Sequence, residues 1–273
     1  MPETGSLQSV PSAASALSVA RRRTRLATRR LPTQAGARAG RMRDADLVPA
    51  HGMGRWRVSP AATVPHDRRG WLMAGGALTL HLARLAGRPD AVERAGTSAY
   101  PVTVRVIKER RERPWPDEAP LLGAKARSVA WVREVELSVE GVPCVVAHSV
   151  TGLVHSRGTW RAMRTLRTRP LAILLYRDPT VRRSMLTSRG VGRTDARRAD
   201  PLARLYARQQ ARVSADARPL SAAERDAQSP RSSRSPCSLI ARRSVFERHG
   251  APLIITECFL PAFWQLLDRA AAR

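Results

Sequence analysis

Two ionisable residues stand where strand patterning calls for apolar ones. In WVREVELSVEGVPCVVAHSV, residues 131–150, Trp131, Val135 and Leu137 share one face of a strand, and Arg133 sits among them. Glu134 and Glu136 occupy the other row, which reads as the polar one. Near the C-terminus, Leu253, Ile255, Glu257 and Phe259 share a face, so a carboxylate also interrupts an apolar row. Burying either ion alone costs several kcal/mol even after relaxation, so each needs a partner. One reading joins them as a buried Arg133–Glu257 salt bridge between two strands. The other makes a polar pocket in the sheet face. There the forked guanidinium of Arg133 awaits a planar carboxylate, both of whose oxygens it can bind. Glu257 then works on the far end of the ligand, and a desolvated Glu has a raised pKa suited to proton handling near neutrality.

The elements that must hold these residues are legible around them. GWLMAGGALTLHLARLAG (70–87) combines a Gly75-Gly76 break with a short helix whose inner face carries Leu78, Leu82 and Leu85. AYPVTVRVIKE (99–109) alternates, with Val102, Val104 and Val106 on one side and Thr103 and Arg105 on the other, as in a half-buried strand. The 131–150 hairpin turns at Glu140-Gly141, and a second hairpin turns at His249-Gly250. TWRAMRTLRTRPLAILLYRDPTVRRSML (159–186) reads as helical, broken at Pro170 and at Asp178-Pro179. The fold class expected is α+β, a single domain with a mainly antiparallel sheet and helices packed on it.

Composition bounds the rest. Of 273 residues, 48 are Lys or Arg against 22 Asp or Glu, a formal charge of +26, and only Lys108 and Lys125 are lysines. Arginine-for-lysine usage of this kind reflects coding bias as readily as function. The charge is read as a solvated surface plus basic segments, with only nonspecific attraction to polyanions and no specific nucleic-acid partner. Aromatic residues are 4% and do not alternate with bases as a stacking platform would. Cys144, Cys237 and Cys258 are odd in number and widely spaced, forming neither a disulfide framework nor a metal pair, and a reducing compartment fits them. No apolar run of membrane-spanning length and no signal peptide is evident. Residues 1–60 read as a disordered basic extension, and 61–273 as one domain interrupted by a flexible insertion at 187–238. Within that insertion one helix is expected, with Asp200 as N-cap and Pro201 at its first position.

The blocks WVREVELSVEGVP, TRPLA and ARRSVF…HGAPLIITECFLP, in this order, resemble the chorismate pyruvate-lyase family. The resemblance covers residues 70–186 and 239–263. It implies conversion of chorismate to 4-hydroxybenzoate and pyruvate without a cofactor, the first committed step towards ubiquinone, by a cytoplasmic monomer acting on a small molecule. It also implies that Arg133 is the substrate arginine and Glu257 the catalytic glutamate. Leu78 and Leu171 bind ligand through backbone N–H groups, an arrangement helix starts favour. Departures from the family pattern are Ala172 for a glycine, His148 for an arginine, Gly152 for a proline and Cys258 for an aliphatic residue. Arg242 and Arg243 match the family's RRS block and read as a surface pair. Competing readings are a ligand-sensing module of the same fold, a nucleic-acid-binding protein, and a degenerate lyase.

Overall fold

The computed structural model of the chain describes residues 56–86, 102–124, 127–191, 200–216 and 239–271. Most of the expected N-terminal extension and Cys237 therefore lie outside the described residues. The elements are α1 (His66–Met73), α2 (Leu78–Leu85), β1 (Val102–Glu112), β2 (Ala130–Val139), β3 (Val142–Gly152), α3 (Leu153–Arg157), α4 (Ala172–Tyr176), β4 (Arg182–Arg183), β5 (Thr187–Val191), α5 (Pro201–Asp216), β6 (Leu239–Arg248), β7 (Ala251–Phe259) and α6 (Pro261–Ala271). Seven antiparallel strands form one sheet in the order β1-β2-β3-β7-β6-β4, with β5 also paired to β6. This is the α+β fold expected.

Both hairpin turns fall where the sequence puts them. Glu140 (φ 49°) and Gly141 (φ 81°) turn β2 into β3, and His249 (φ 51°) and Gly250 (φ 72°) turn β6 into β7. Two successive positive φ values match the right-handed twist of the flanking strands and close a hairpin in two residues. Such tight turns fix register, and register decides which side chain faces which.

One irregularity redirects β1. Val106 pairs with Val135, but Lys108 pairs with Glu134 and Glu109 with Arg133, so one extra residue bulges between Val106 and Lys108. Strict alternation would put Glu109 on the side of Thr103 and Arg105. The bulge reverses the parity: Glu109 joins the face of Val104 and Val106, and Lys108 goes to the opposite one.

The two faces are covered differently. Over the first, Trp71, Leu72, Leu78, Leu82, Phe263 and Trp264 from α1, α2 and α6 pack on Val104, Val135, Leu137, Ala147, Ile240 and Phe259. The aromatic contacts are edge-on, with Trp71 and Phe263 centroids 4.9 Å apart at 80°. Over the second face lie α5 and the segment 113–124, with Leu205 against Val146, and Leu202 with Ala203 against Ala241 and Cys258. Asp200 caps α5 as expected, accepting from the N–H groups of Leu202 (2.8 Å) and Ala203 (3.4 Å), while its other oxygen meets Arg189 of β5.

Several expectations are corrected here. Residues 187–191, read as the start of an insertion, are a strand of the sheet, and 200–216 is a packed helix of the core. Residues 192–199 and 217–238 lie outside the described residues. Packing begins before residue 61, since Trp56 is buried and donates to Asp117 at 2.8 Å. The helical reading of 159–186 holds only in part. That stretch holds one 3-10 turn (Arg161–Thr165), the five-residue α4 and the short β4. Pro170 and Pro179 cut it into pieces too short to be helical by propensity, and anchoring of Trp160, Met163 and Leu175 against Phe246 and Leu253 fixes their path instead.

Candidate active site

Of the two readings of Arg133 and Glu257, the direct salt bridge between them does not occur. Arg133 and Glu257 lie on the same face, two strands and one pleat apart, through Arg133↔Ser149, Ser149↔Ile255 and then Glu257. Strand spacing and rise put their backbones roughly 12 Å from each other. Each has its own partner. Arg133 donates to Glu109 of β1 at 2.8 Å, and from its other terminal nitrogen to the carbonyls of Arg167 (2.7 Å) and Arg169 (3.4 Å). Glu257 receives Nε of Arg242 at 2.5 Å, across the pair Arg242↔Glu257 of β6 and β7. It is thus half of an ion pair and not an isolated buried carboxyl.

A pocket lies between them, enclosing about 600 Å³ with its open mouth included. Arg133, Glu257, Leu78 and Leu171 all line it, so the structure brings together every site residue expected from the sequence. Its floor is apolar, from Val135, Leu137, Ala147 and Ile255, with the hydroxyls of Ser149 and Ser244 among them. Leu78 is the first residue of α2 and Leu171 immediately precedes α4. N–H groups at helix starts have no intrahelical acceptor and are available to an anion.

The site is rigidly framed. Arg133 is 1% exposed and Arg242 0%. Burial lowers the pKa of Arg133, and the charge and hydrogen bond of Glu109 oppose that. Arg242 also donates to the carbonyls of Trp71 (2.8 Å) and Ala74 (3.0 Å), so it fixes Glu257 and the end of α1 together. The Gly75-Gly76 break forms the rim. His81 holds the Gly75 carbonyl at 2.5 Å; burial lowers its pKa, assisted by Arg242 and opposed by that hydrogen bond. The Gly76 carbonyl receives the Tyr176 hydroxyl at 2.7 Å and Nη1 of Arg183 at 3.3 Å. Gly76 itself adopts φ 79°, which only glycine takes without strain.

Sequence reasoning missed four of these residues. Glu109 was hidden by the bulge. Arg242 was read with Arg243 as a surface pair, yet both are buried and, being consecutive on a strand, they point to opposite faces. Tyr176 ends the short α4, and Arg183 stands on β4 in a stretch read as helix. Conversely, His148 and Cys258 lie on the far face, away from the pocket. Ala172 does line the pocket. Cys144 and Cys258 are buried free thiols, pushed up to about 11 and about 12 by burial. Among the described residues no three His, Cys, Asp or Glu side chains group as a metal site, and no helix is long and apolar enough to cross a membrane.

Comparison with known proteins supplies the class. A family profile described as chorismate lyase matches residues 56–228. The "Probable chorismate pyruvate-lyase" of Bordetella pertussis (strain Tohama I) is 37% identical over 211 residues, covering 77% of this chain and 90% of that one. That of Aromatoleum aromaticum is 35% identical over 207 residues, covering 76% and 91%. Among solved structures, the ligand-binding domain of a putative GntR-family transcriptional regulator from Bordetella bronchiseptica matches at 16% identity and a TM-score of 0.35, covering 59% of this chain and 84% of that one. The protein is therefore a lyase. More particularly, this chain belongs to the chorismate lyase family.

Proposed function

We propose that the chain is a chorismate pyruvate-lyase, converting chorismate to 4-hydroxybenzoate and pyruvate without a cofactor and so opening the route to ubiquinone. The observation that supports this is the convergence on one pocket of a buried guanidinium, a carboxylate and two helix-start N–H groups, from four separated parts of the chain. Arg133 receives the ring carboxylate, with the N–H groups of Leu78 and Leu171 completing its shell. Glu257, oriented by Arg242, contacts the hydroxyl end of the ring.

The conversion balances within the substrate. The ether C–O bond to the ring breaks, the hydrogen on the hydroxyl-bearing ring carbon is lost, and the enolpyruvyl methylene gains a hydrogen to become the pyruvate methyl. No oxidant or reductant enters. Glu257 assists that proton movement or polarises the breaking ether, and the enclosed pocket holds the reactive conformer away from water. The monomer works in the cytoplasm, where Cys144 and Cys258 stay reduced.

The test is direct. The purified full chain is mixed with chorismate, and 4-hydroxybenzoate and pyruvate are followed by chromatography. Equimolar products above the spontaneous rate are expected. Saturable binding of 4-hydroxybenzoate without turnover would make the chain a sensor or a decayed enzyme instead. Neither binding nor turnover, from a folded sample, would overturn the proposal.

A further inference from the structure

Three guanidiniums approach the pocket face, and only two have acids. Arg133 is matched by Glu109 and Arg242 by Glu257. Arg183 of β4 is half-buried, lines the pocket, and forms no salt bridge with any described residue. Its Nε is buried without a hydrogen-bond partner, and its one acceptor besides the Tyr176 hydroxyl region is the Gly76 carbonyl, at a long 3.3 Å. Its plane lies over the Phe246 ring at 5.3 Å, which fixes its direction. Among the described residues Arg183 is thus the pocket cation without an ion pair of its own, held in place, with Glu257 as the carboxylate whose field it feels.

Its location matters as much as its charge. Arg133 stands on β2 and Arg183 on β4, at opposite sides of the pocket, four strand spacings or roughly 19 Å apart at the backbone. Glu257, on β7, lies between them. Long side chains reaching inward from both walls leave a span of small-molecule size, with an anionic group wanted at each end and a carboxylate between.

We infer that Arg183, with the Tyr176 hydroxyl beside it, is the receptor for the second carboxylate of a dianionic substrate, the one on the enolpyruvyl side chain. This rests on the lyase reading above and extends it. Arg133 holds the carboxylate that substrate and aromatic product share. Arg183 holds the one that leaves with pyruvate. It therefore separates substrate from product, and after bond cleavage it draws the second fragment towards the rim at Gly76.

The experiment compares R183Q with the wild-type chain, reading KM and kcat for chorismate alongside Kd for 4-hydroxybenzoate. Loss of a charge-assisted hydrogen bond predicts a rise in KM of about 10- to 100-fold. Product affinity, which rests on Arg133 and its neighbours and not on Arg183, stays within about twofold. R183K, which keeps the charge and loses the fork, falls between the two. A parallel loss of substrate and product affinity would reduce Arg183 to a structural prop, and no change in either would dismiss it. Should R183Q fail to fold, the same split measured in R183K decides. A wild-type chain without turnover sinks the lyase reading itself; an active wild type with an indifferent R183Q sinks only this inference.

Discussion

The two faces of the sheet are built on the same strands and both bury charge, yet the pocket lined by Arg133 and Glu257 opens on one of them, while the other is packed with a network of side chains. On the far face Lys108, Glu134, His148, Thr256 and Arg243 form a continuous row across five strands through successive register pairs. Glu134 meets Lys108 at 3.0 Å and His148 at 3.1 Å, and Arg208 of α5 reaches it at 3.3 Å. Glu118 lies 3.4 Å from the other imidazole nitrogen, and Trp115 stacks on the ring at 4.0 Å. Arg243 donates to Thr256 and Asp117, both at 2.8 Å, and lies 4.1 Å over the Trp56 ring. Side chains from α5 and from 113–124 thus close over this row and pair with its charges. On the pocket face α2 and the segment before α4 stop short, and the same kind of charge is left addressable. Burying charge does not make a site; leaving one side of it uncovered does.

The sharpest way to break this contrast is to remove a charge from each face. Glu134→Ala removes the acid shared by Lys108, His148 and Arg208, leaving Glu112 to Lys108 and Glu118 to His148, and breaking a buried network this way costs about 3 kcal/mol. Chemical denaturation should show that loss, while kcat per folded molecule holds. Arg133→Ala does the reverse in function: kcat/KM for chorismate falls by about 10²–10³-fold, since truncating one member of a buried charge pair costs about 2–5 kcal/mol. Because Arg133 also fixes the Arg167 and Arg169 carbonyls, some stability goes with it. An active Arg133→Ala would return this residue to a purely structural role.

Glu257→Gln keeps shape and removes charge, and turnover should drop about 100-fold if it moves a proton. Undiminished turnover would remove it from the chemistry.

The far face should also titrate. Burial pulls the pKa of His148 down, but Glu118 and Glu134 outweigh it and hold it at about 9, above its usual 6.5. A raised folded pKa means its contribution is fully present below pH 6.5 and disappears as pH rises towards 9. Glu134 is the mirror case. Burial pushes it up, but His148 and Lys108 bring it to about 2 from 4.5, so its contribution is lost as pH falls below 4.5. Melting temperature should decline between pH 6.5 and 9, and His148→Gln should flatten that slope. A slope unchanged in the variant would assign it elsewhere. The smallest effect expected is a gain. Glu109→Gln frees the Arg133 guanidinium from its internal carboxylate, and affinity for 4-hydroxybenzoate should rise about fivefold by isothermal titration, the scale of a partly exposed ion pair. Weaker binding would mean that Glu109 positions Arg133 instead of competing for it.

Much of this was legible before any coordinates. Gly141 and Gly250, each after a polar residue between alternating runs, announce two tight turns, and the turns set the parity that makes Arg133 and Glu257 stand out. What escaped is where that parity breaks or where the cover comes from afar. Nothing in VTVRVIKERRE signals that one residue after Val106 is extra, so the strand pattern did not bring Glu109 to the face of Arg133. Glu134 and Glu136 looked like a solvent row because the helix that buries them begins some sixty residues later. Gln209 of that helix bonds Glu136, a contact that no local pattern encodes. The adjacent Arg242 and Arg243 looked alike because an arginine on a strand reads the same whether water or a carboxylate awaits it.

The bulge in β1 has one more consequence. Among the described residues β1 borders the sheet, and no described strand pairs with its outer backbone groups. A long, flat edge of this sort is a template on which another chain can add a strand. Here the kink after Val106 twists the edge, and Lys108, Arg110, Arg111 and Glu112 crowd its second half with charge. The displacement that hands Glu109 to Arg133 also guards the molecule against edge-to-edge association. Deleting that single residue should leave a straighter border, and a protein that aggregates as it folds.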